Sequence, residues 1–147
     1  MKKQLLLLSA SLIASCALAQ QSSVYSPDSM LCVDFNLKNG KPVYSVKYGG
    51  KTMLDESPLG LSTNIGDFSR GMKFIKSNTS KVEKEYTMNR SKFSQISYKA
   101  NEACFALSNA KGHPMEICFR VSNNDIAFQY RIAKRGETGS IRIMGEA

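Results

Sequence analysis

Beyond residue 30 the chain alternates apolar and polar positions with a period of two. Leu31, Val33, Phe35 and Leu37 interleave with Cys32, Asp34 and Asn36, the pattern of a strand with one buried face. Asn39-Gly40 supplies a turn, and residues 43–48 alternate again, which predicts a hairpin. Gly49-Gly50 leads into a short strand over 51–54, and Ser57-Pro58-Leu59-Gly60-Leu61 reads as an edge segment, where proline is tolerated.

Residues 62–80 are polar, with Ile65, Phe68, Met72, Phe74 and Ile75 as anchors, and predict a long excursion holding one short strand at 72–76. Residues 81–88 and 93–99 predict two further strands around a turn near Asn89. In the last third, Ala103, Phe105 and Leu107 share one face, as do Met115, Ile117, Phe119 and Val121, with Lys111-Gly112 in the loop between them. A register that turns both sets toward one core places Cys104 opposite Cys118 on the other face. A cross-strand disulfide between Cys104 and Cys118 is therefore a hypothesis to test. After Asn123-Asn124-Asp125, a third strand carries Ile126, Phe128, Tyr130 and Ile132 inward and Gln129 and Arg131 outward. No segment sustains a 3.6-residue apolar stripe, so the fold class is all-β, an antiparallel β-sandwich.

The N-terminus follows a different rule. Lys2 and Lys3 precede an apolar run over 5–15, and Ala17-Leu18-Ala19 offers a small–x–small cleavage site. Residues 1–19 are expected to be a signal peptide, leaving residues 20–147 as the domain. Ile13-Ala14-Ser15-Cys16 also fits a lipobox, in which acylated Cys16 would tether the domain to a membrane. The well-formed cleavage site directly after Cys16 favours simple cleavage. Either route exports the chain, to the periplasm or to the outer membrane.

Composition narrows the chemistry. With 147 residues the chain is too short for a β/α barrel of roughly 200 or more. Twenty Lys and Arg against 12 Asp and Glu give a charge of +8, but no basic run exists and export removes most nucleic acid, so none is expected as a partner. With His113 the only histidine and no C-x-x-C spacing, a metal site is not expected. His113, between Gly112 and Pro114, reads as a solvent-exposed turn residue without a triad role. Cys32 reads as a small buried apolar side chain. Glu83 and Glu85 share a strand face, but any E-x-E does, and with Lys81 and Lys84 nearby they read as a solvated face. Asp55-Glu56 reads as loop solvation. Tyr44, Tyr86, Tyr98 and Tyr130 alternate in ways that suit core packing. No catalytic residue is assigned.

Several stretches together resemble the N-terminal β-sandwich of glycoside hydrolase family 97, exported bacterial α-glucosidases and α-galactosidases. They are Ser26-Pro27-Asp28, the Ser57–Leu61 segment that matches the family's S-x-L-G-L, residues 96–102, and residues 119–131. The last resembles the family's F-R-V-x-N-D/N-x-x-A-F-R-Y signature, with Gln129 where arginine is usual. The resemblance implies a partial galactose-mutarotase-like supersandwich. It also implies that the catalytic barrel and most calcium-holding carboxylates of the full-length family belong to segments with no counterpart here. No catalytic or calcium residue carries over, and no cofactor is expected in this chain. Alone it is expected to be inactive, as a truncated gene product or as half of a split enzyme whose barrel is a separate chain. In the full-length context the substrate would be an α-linked oligosaccharide or polysaccharide. The alternative is a stand-alone exported sugar-binding module or lipoprotein without activity.

Overall fold

The computed structural model describes residues 20–88, 95–133 and 139–147, so the expected signal segment with Cys16 and the turn expected near Asn89 lie outside the described residues. The described elements are strands: β1 Gln20–Tyr25, β2 Leu31–Lys38, β3 Lys41–Tyr48, β4 Lys51–Pro58, β5 Leu61–Thr63, β6 Gly66–Asp67, β7 Lys73–Thr87, β8 Gln95–Ser108, β9 Pro114–Ser122, β10 Ile126–Ile132 and β11 Ile143–Glu146. They form an antiparallel sheet ordered β1-β2-β3-β4, a second ordered β10-β9-β8-β7, and a small third ordered β11-β5-β6. The chain is an all-β antiparallel sandwich.

The first two sheets pack face to face through the alternating apolar sets. Val33 and Phe35 of β2 meet Phe105, Leu107, Ile117, Phe119 and Val121, and each of these is fully shielded from water. At the centre the Phe35 and Phe105 rings stack at 4.2 Å, and Phe119 lies tilted against both, an aromatic cluster that adds orientation to the gain from area burial.

The excursion over 62–80 differs from its expected form. Residues 61–67 fold into the small β5–β6 pair, and the strand expected at 72–76 continues unbroken as the 15-residue β7. Likewise residues 95–108 are one strand of 14 residues. A bulge at Phe74/Lys76 lets β7 keep pairing with β8 across this length. β1 was not expected from sequence at all. Its polar residues hold a strand because Ser23 and Val24 pair with Asp34 and Val33. Asp55 and Glu56 lie in β4 and not in a loop, though both are exposed, and Glu56 pairs with Lys38.

The Ser57–Leu61 segment turns from the first sheet into the third at Gly60, whose φ is +138°. A Cβ there would lie 2.5 Å from Ser69 Cα and 2.6 Å from the Phe68 carbonyl oxygen. Gly60→Ala is therefore expected to cost about 3 kcal/mol or more, from strain and backbone displacement together, read as a lower urea midpoint.

The bend after β6 depends on charge. Asp67 accepts from the Ser69 hydroxyl at 2.6 Å, the Ser69 N–H at 2.8 Å and Arg70 Nε at 2.6 Å. The two Ser69 bonds, then the Arg70 guanidinium, hold its carboxyl at about 2. Because the folded value lies below the ordinary 3.8, this stabilisation is present above 3.8 and is lost as pH falls through about 2. In Asp67→Asn, the urea midpoint measured against pH is expected to lose that part of its acid slope.

Candidate functional site

Three places combine polar chemistry with accessible surface. The first is where two of the stretches that carry the resemblance, Ser57–Leu61 and residues 119–131, meet. Tyr130, on the inner face of β10, reaches across to the Ser57–Leu61 segment, where the Gly60 N–H donates to its hydroxyl oxygen at 3.0 Å. Gly60 in turn accepts from the Ala147 N–H at 3.1 Å, tying the end of the third sheet to the same point. Beside this junction lies a hollow of about 400 Å³ lined by Leu61, Tyr130, Ile132, Ile141, Ile143 and Glu146. Burial pushes the Tyr130 hydroxyl above its usual value, and the nearby Glu146 carboxylate adds to the shift, so it stays protonated. Toward β3, Phe128 packs at 5.8 Å from Tyr44 and 5.6 Å from Tyr130, yet 39% of it stays exposed. This side of the sandwich is open and aromatic.

The second place is the outer face of β2. Asp34, 9% exposed, accepts from Ser23 Oγ at 2.6 Å and from Lys47 Nζ at 2.7 Å, and the Cys32 thiol lies 3.5 Å away. Burial pushes the Asp34 carboxyl up, and Lys47 and Ser23 more than reverse it, so it lies below its usual value. Burial, then the Asp34 charge, raises the Cys32 thiol, which keeps it protonated and a poor nucleophile. Cys32 is buried, but within this polar cluster and not in the apolar core.

The third is the outer face of the β7–β10 sheet. Cys104 and Cys118 are direct cross-strand partners, and their sulfurs are bonded at 2.10 Å. In the next row Arg120 donates to Glu102 from Nε at 3.1 Å and Nη2 at 2.5 Å. Beyond residue 100, β8 loses β9 as a neighbour, and residues 95–99 pair with 83–87 alone as a projecting two-stranded ribbon.

That ribbon corrects the reading of two tyrosines. Tyr44 and Tyr130 do pack against the core, but Tyr86 and Tyr98 lie on the outer face, and Tyr86 is 47% exposed. The first sheet packs on the opposite face of this sheet and therefore does not cover them. Parity carried the signal: Tyr98 is even-numbered like Glu102 and Cys104, whereas the core residues of β8 are Ala103, Phe105 and Leu107. Reading β8 as two strands hid it.

The remaining candidates are less informative. His113 is half-buried and not fully exposed, because Asn109 Oδ1 collects the N–H groups of Lys111 and His113 and tightens the loop. Glu83 and Glu85 share the ribbon's opposite, exposed face with Lys81. Bond cleavage between sugars by two carboxylates needs both to face one space. The 400 Å³ hollow has Glu146 as its carboxylate, and the hollow beside Arg120 has Glu102, already ion-paired. Among the described residues no three Asp, Glu, His or Cys side chains converge to hold a metal.

Comparison with known proteins agrees with this architecture. Residues 24–147 match the family described as "Glycosyl-hydrolase 97 N-terminal". The chain belongs to this family. It is 41% identical to a β-arabinopyranosidase of known crystal structure, superposing with a TM-score of 0.81 over 86% of this chain and 20% of that one. A family 97 enzyme from Pseudoalteromonas sp. strain K8, solved in complex with acarbose, shares the fold at 20% identity and a TM-score of 0.76, over 85% of this chain and 19% of that one. A Streptomyces bingchenggensis protein named "Probable retaining alpha-galactosidase" is 29% identical over 107 residues, 73% of this chain and 16% of that protein. The chain thus spans about a fifth or less of the length of these relatives.

Proposed function

We propose that this family 97 N-terminal domain is an exported, carbohydrate-associated scaffold of a glycoside hydrolase and performs no bond cleavage by itself. The observation that carries the reading is the match of residues 24–147 to the family 97 N-terminal domain, together with a superposition that covers only a fifth of a solved β-arabinopyranosidase. The Gly60–Tyr130 junction supports it, because the segments that carry the likeness are engaged in holding two sheets together. In its L form, β-arabinopyranose is α-galactopyranose without the C6 hydroxymethyl group. The names of the two relatives at 41% and 29% identity therefore point to one ring stereochemistry, and the complete enzyme would act on galacto-configured α-linked sugars.

Incubated with p-nitrophenyl α-galactopyranoside or α-glucopyranoside, the purified chain is expected to release no p-nitrophenol above buffer. Turnover that follows the protein through purification would overturn the reading. Export is tested by the mass of the periplasmic product, which is expected to begin at Gln20. A product beginning at a lipidated Cys16 would place the domain on a membrane, and retention of Lys2 and Lys3 would contradict export.

A further inference from the structure

We infer that the outer face of the β7–β8 ribbon is a surface site for a neutral oligosaccharide, a proposal that rests on the carbohydrate-associated reading above. The cross-strand pairs Lys84–Tyr98 and Tyr86–Ile96 put the two tyrosines at diagonal positions on one face, close enough for long side chains to share a ligand. Tyr98 is half-buried against the sheet, while Tyr86 stands 47% exposed. Rings so placed offer flat apolar faces to the C–H face of a pyranose.

The rim supplies hydrogen-bonding groups. The last pair of β9 is with Ala100, two residues from Tyr98, and the turn that follows brings the Asp125 carboxylate to the Tyr98 hydroxyl, which burial and then this carboxylate push above its usual value. Behind it, Arg120 and Glu102 are fixed to each other, and Lys84 flanks Tyr98 on the other strand. Two cations and two carboxylates thus surround the tyrosines. One row further, Arg131 lies opposite Glu116 on the neighbouring strand and reaches Glu102 Oε1 from Nη2 at 3.9 Å. The chain as a whole carries +8, but among the described residues this patch is formally neutral, with Lys84, Arg120 and Arg131 against Glu102, Glu116 and Asp125, which suits a hydroxyl-rich uncharged ligand better than a phosphate, an acidic polysaccharide or an anionic lipid surface. Binding sites for small polar ligands typically combine a few such oriented groups with apolar ring surface.

The test is calorimetric titration of the full chain with stachyose, maltoheptaose and trigalacturonate, on wild type, Tyr86→Ala, Tyr86→Phe and Tyr98→Phe. Circular dichroism and the intact disulfide check that each variant is folded. A saturable signal with a neutral oligosaccharide is expected, weakened about tenfold or more by Tyr86→Ala and less than about threefold by Tyr86→Phe. Tyr98→Phe keeps the ring and is expected to bind like wild type within about threefold. Equal binding by Tyr86→Ala and wild type, tighter binding of trigalacturonate, or no saturable signal from either neutral sugar would overturn the site. So would light scattering that finds a stable dimer which Tyr86→Ala dissociates, because the tyrosine would then be covered by a second copy. Hydrolysis of any of these sugars by the chain overturns the proposed function instead, whatever the titrations give.

Discussion

Phe35→Ala is expected to remove about 3–5 kcal/mol of stability, a large fraction of the about 5–15 kcal/mol that a domain possesses. Phe35 is fully buried, stacked on Phe105 at 4.2 Å and tilted against Phe119 at 6.4 Å. It is a central contact between the first sheet and the second, alongside Val33 and Tyr44, so truncation leaves a cavity at the joint and not at a margin. Phe35→Leu refills much of that volume and should recover more than half of the loss. Urea titration followed by near-ultraviolet tyrosine circular dichroism reads both variants. A midpoint for Phe35→Ala within error of wild type would mean that the two sheets do not pack as described.

The second large effect is expected from the disulfide. Cys104 and Cys118 enclose a separation of 14 residues, for which the chain-entropy account gives about 3 kcal/mol. The pair joins β8 to β9 in the middle of the second sheet, where core residues flank it on the opposite face. Reduction, or the Cys104→Ala/Cys118→Ala double variant, should therefore lower the midpoint by a comparable amount. Cys32→Ala should leave the response to reductant unchanged, since that thiol is buried beside Asp34 and unbonded to sulfur. Three titratable thiols in the unreduced, denatured chain, with no effect of reductant, would contradict the assignment.

Much of this fold was legible in the sequence because burial on one face leaves an alternation that can be read directly. The strands of the last third show it best, since a one-residue slip would have turned Phe105, Ile117 and Phe119 to solvent. Legibility failed where strands are held by their neighbours and not by their own apolar faces. β1 is polar and exists by pairing with β2, and β7 carries mainly exposed Lys, Ser, Thr and Glu along a strand fixed by β8. The same failure displaced the tyrosines. Tyr86 and Tyr98 alternate like core residues, but their parity within the long β7–β8 pair puts them on the face opposite Ala103 and Phe105, and that parity is lost when β8 is read as two strands.

The site was legible in part for a related reason. The family-like segments at Ser57–Leu61 and 119–131 could be picked out from the sequence, but their contact could not. Gly60 and Tyr130 are 70 residues apart and meet only once both sheets are assembled. Glu146 was not expected to take part at all, and its place in the hollow beside Tyr130 follows from the pairing of β11 with β5.

The folded sandwich is proposed to serve a sugar-cleaving enzyme without cleaving sugar itself. The most direct measurement is the proton NMR spectrum of melibiose, an unmodified α-galactoside, incubated with the folded, disulfide-bonded chain. The anomeric signal of the α-linked galactose is predicted to persist at its starting intensity. Its conversion to free galactose at a rate proportional to chain concentration would contradict the account.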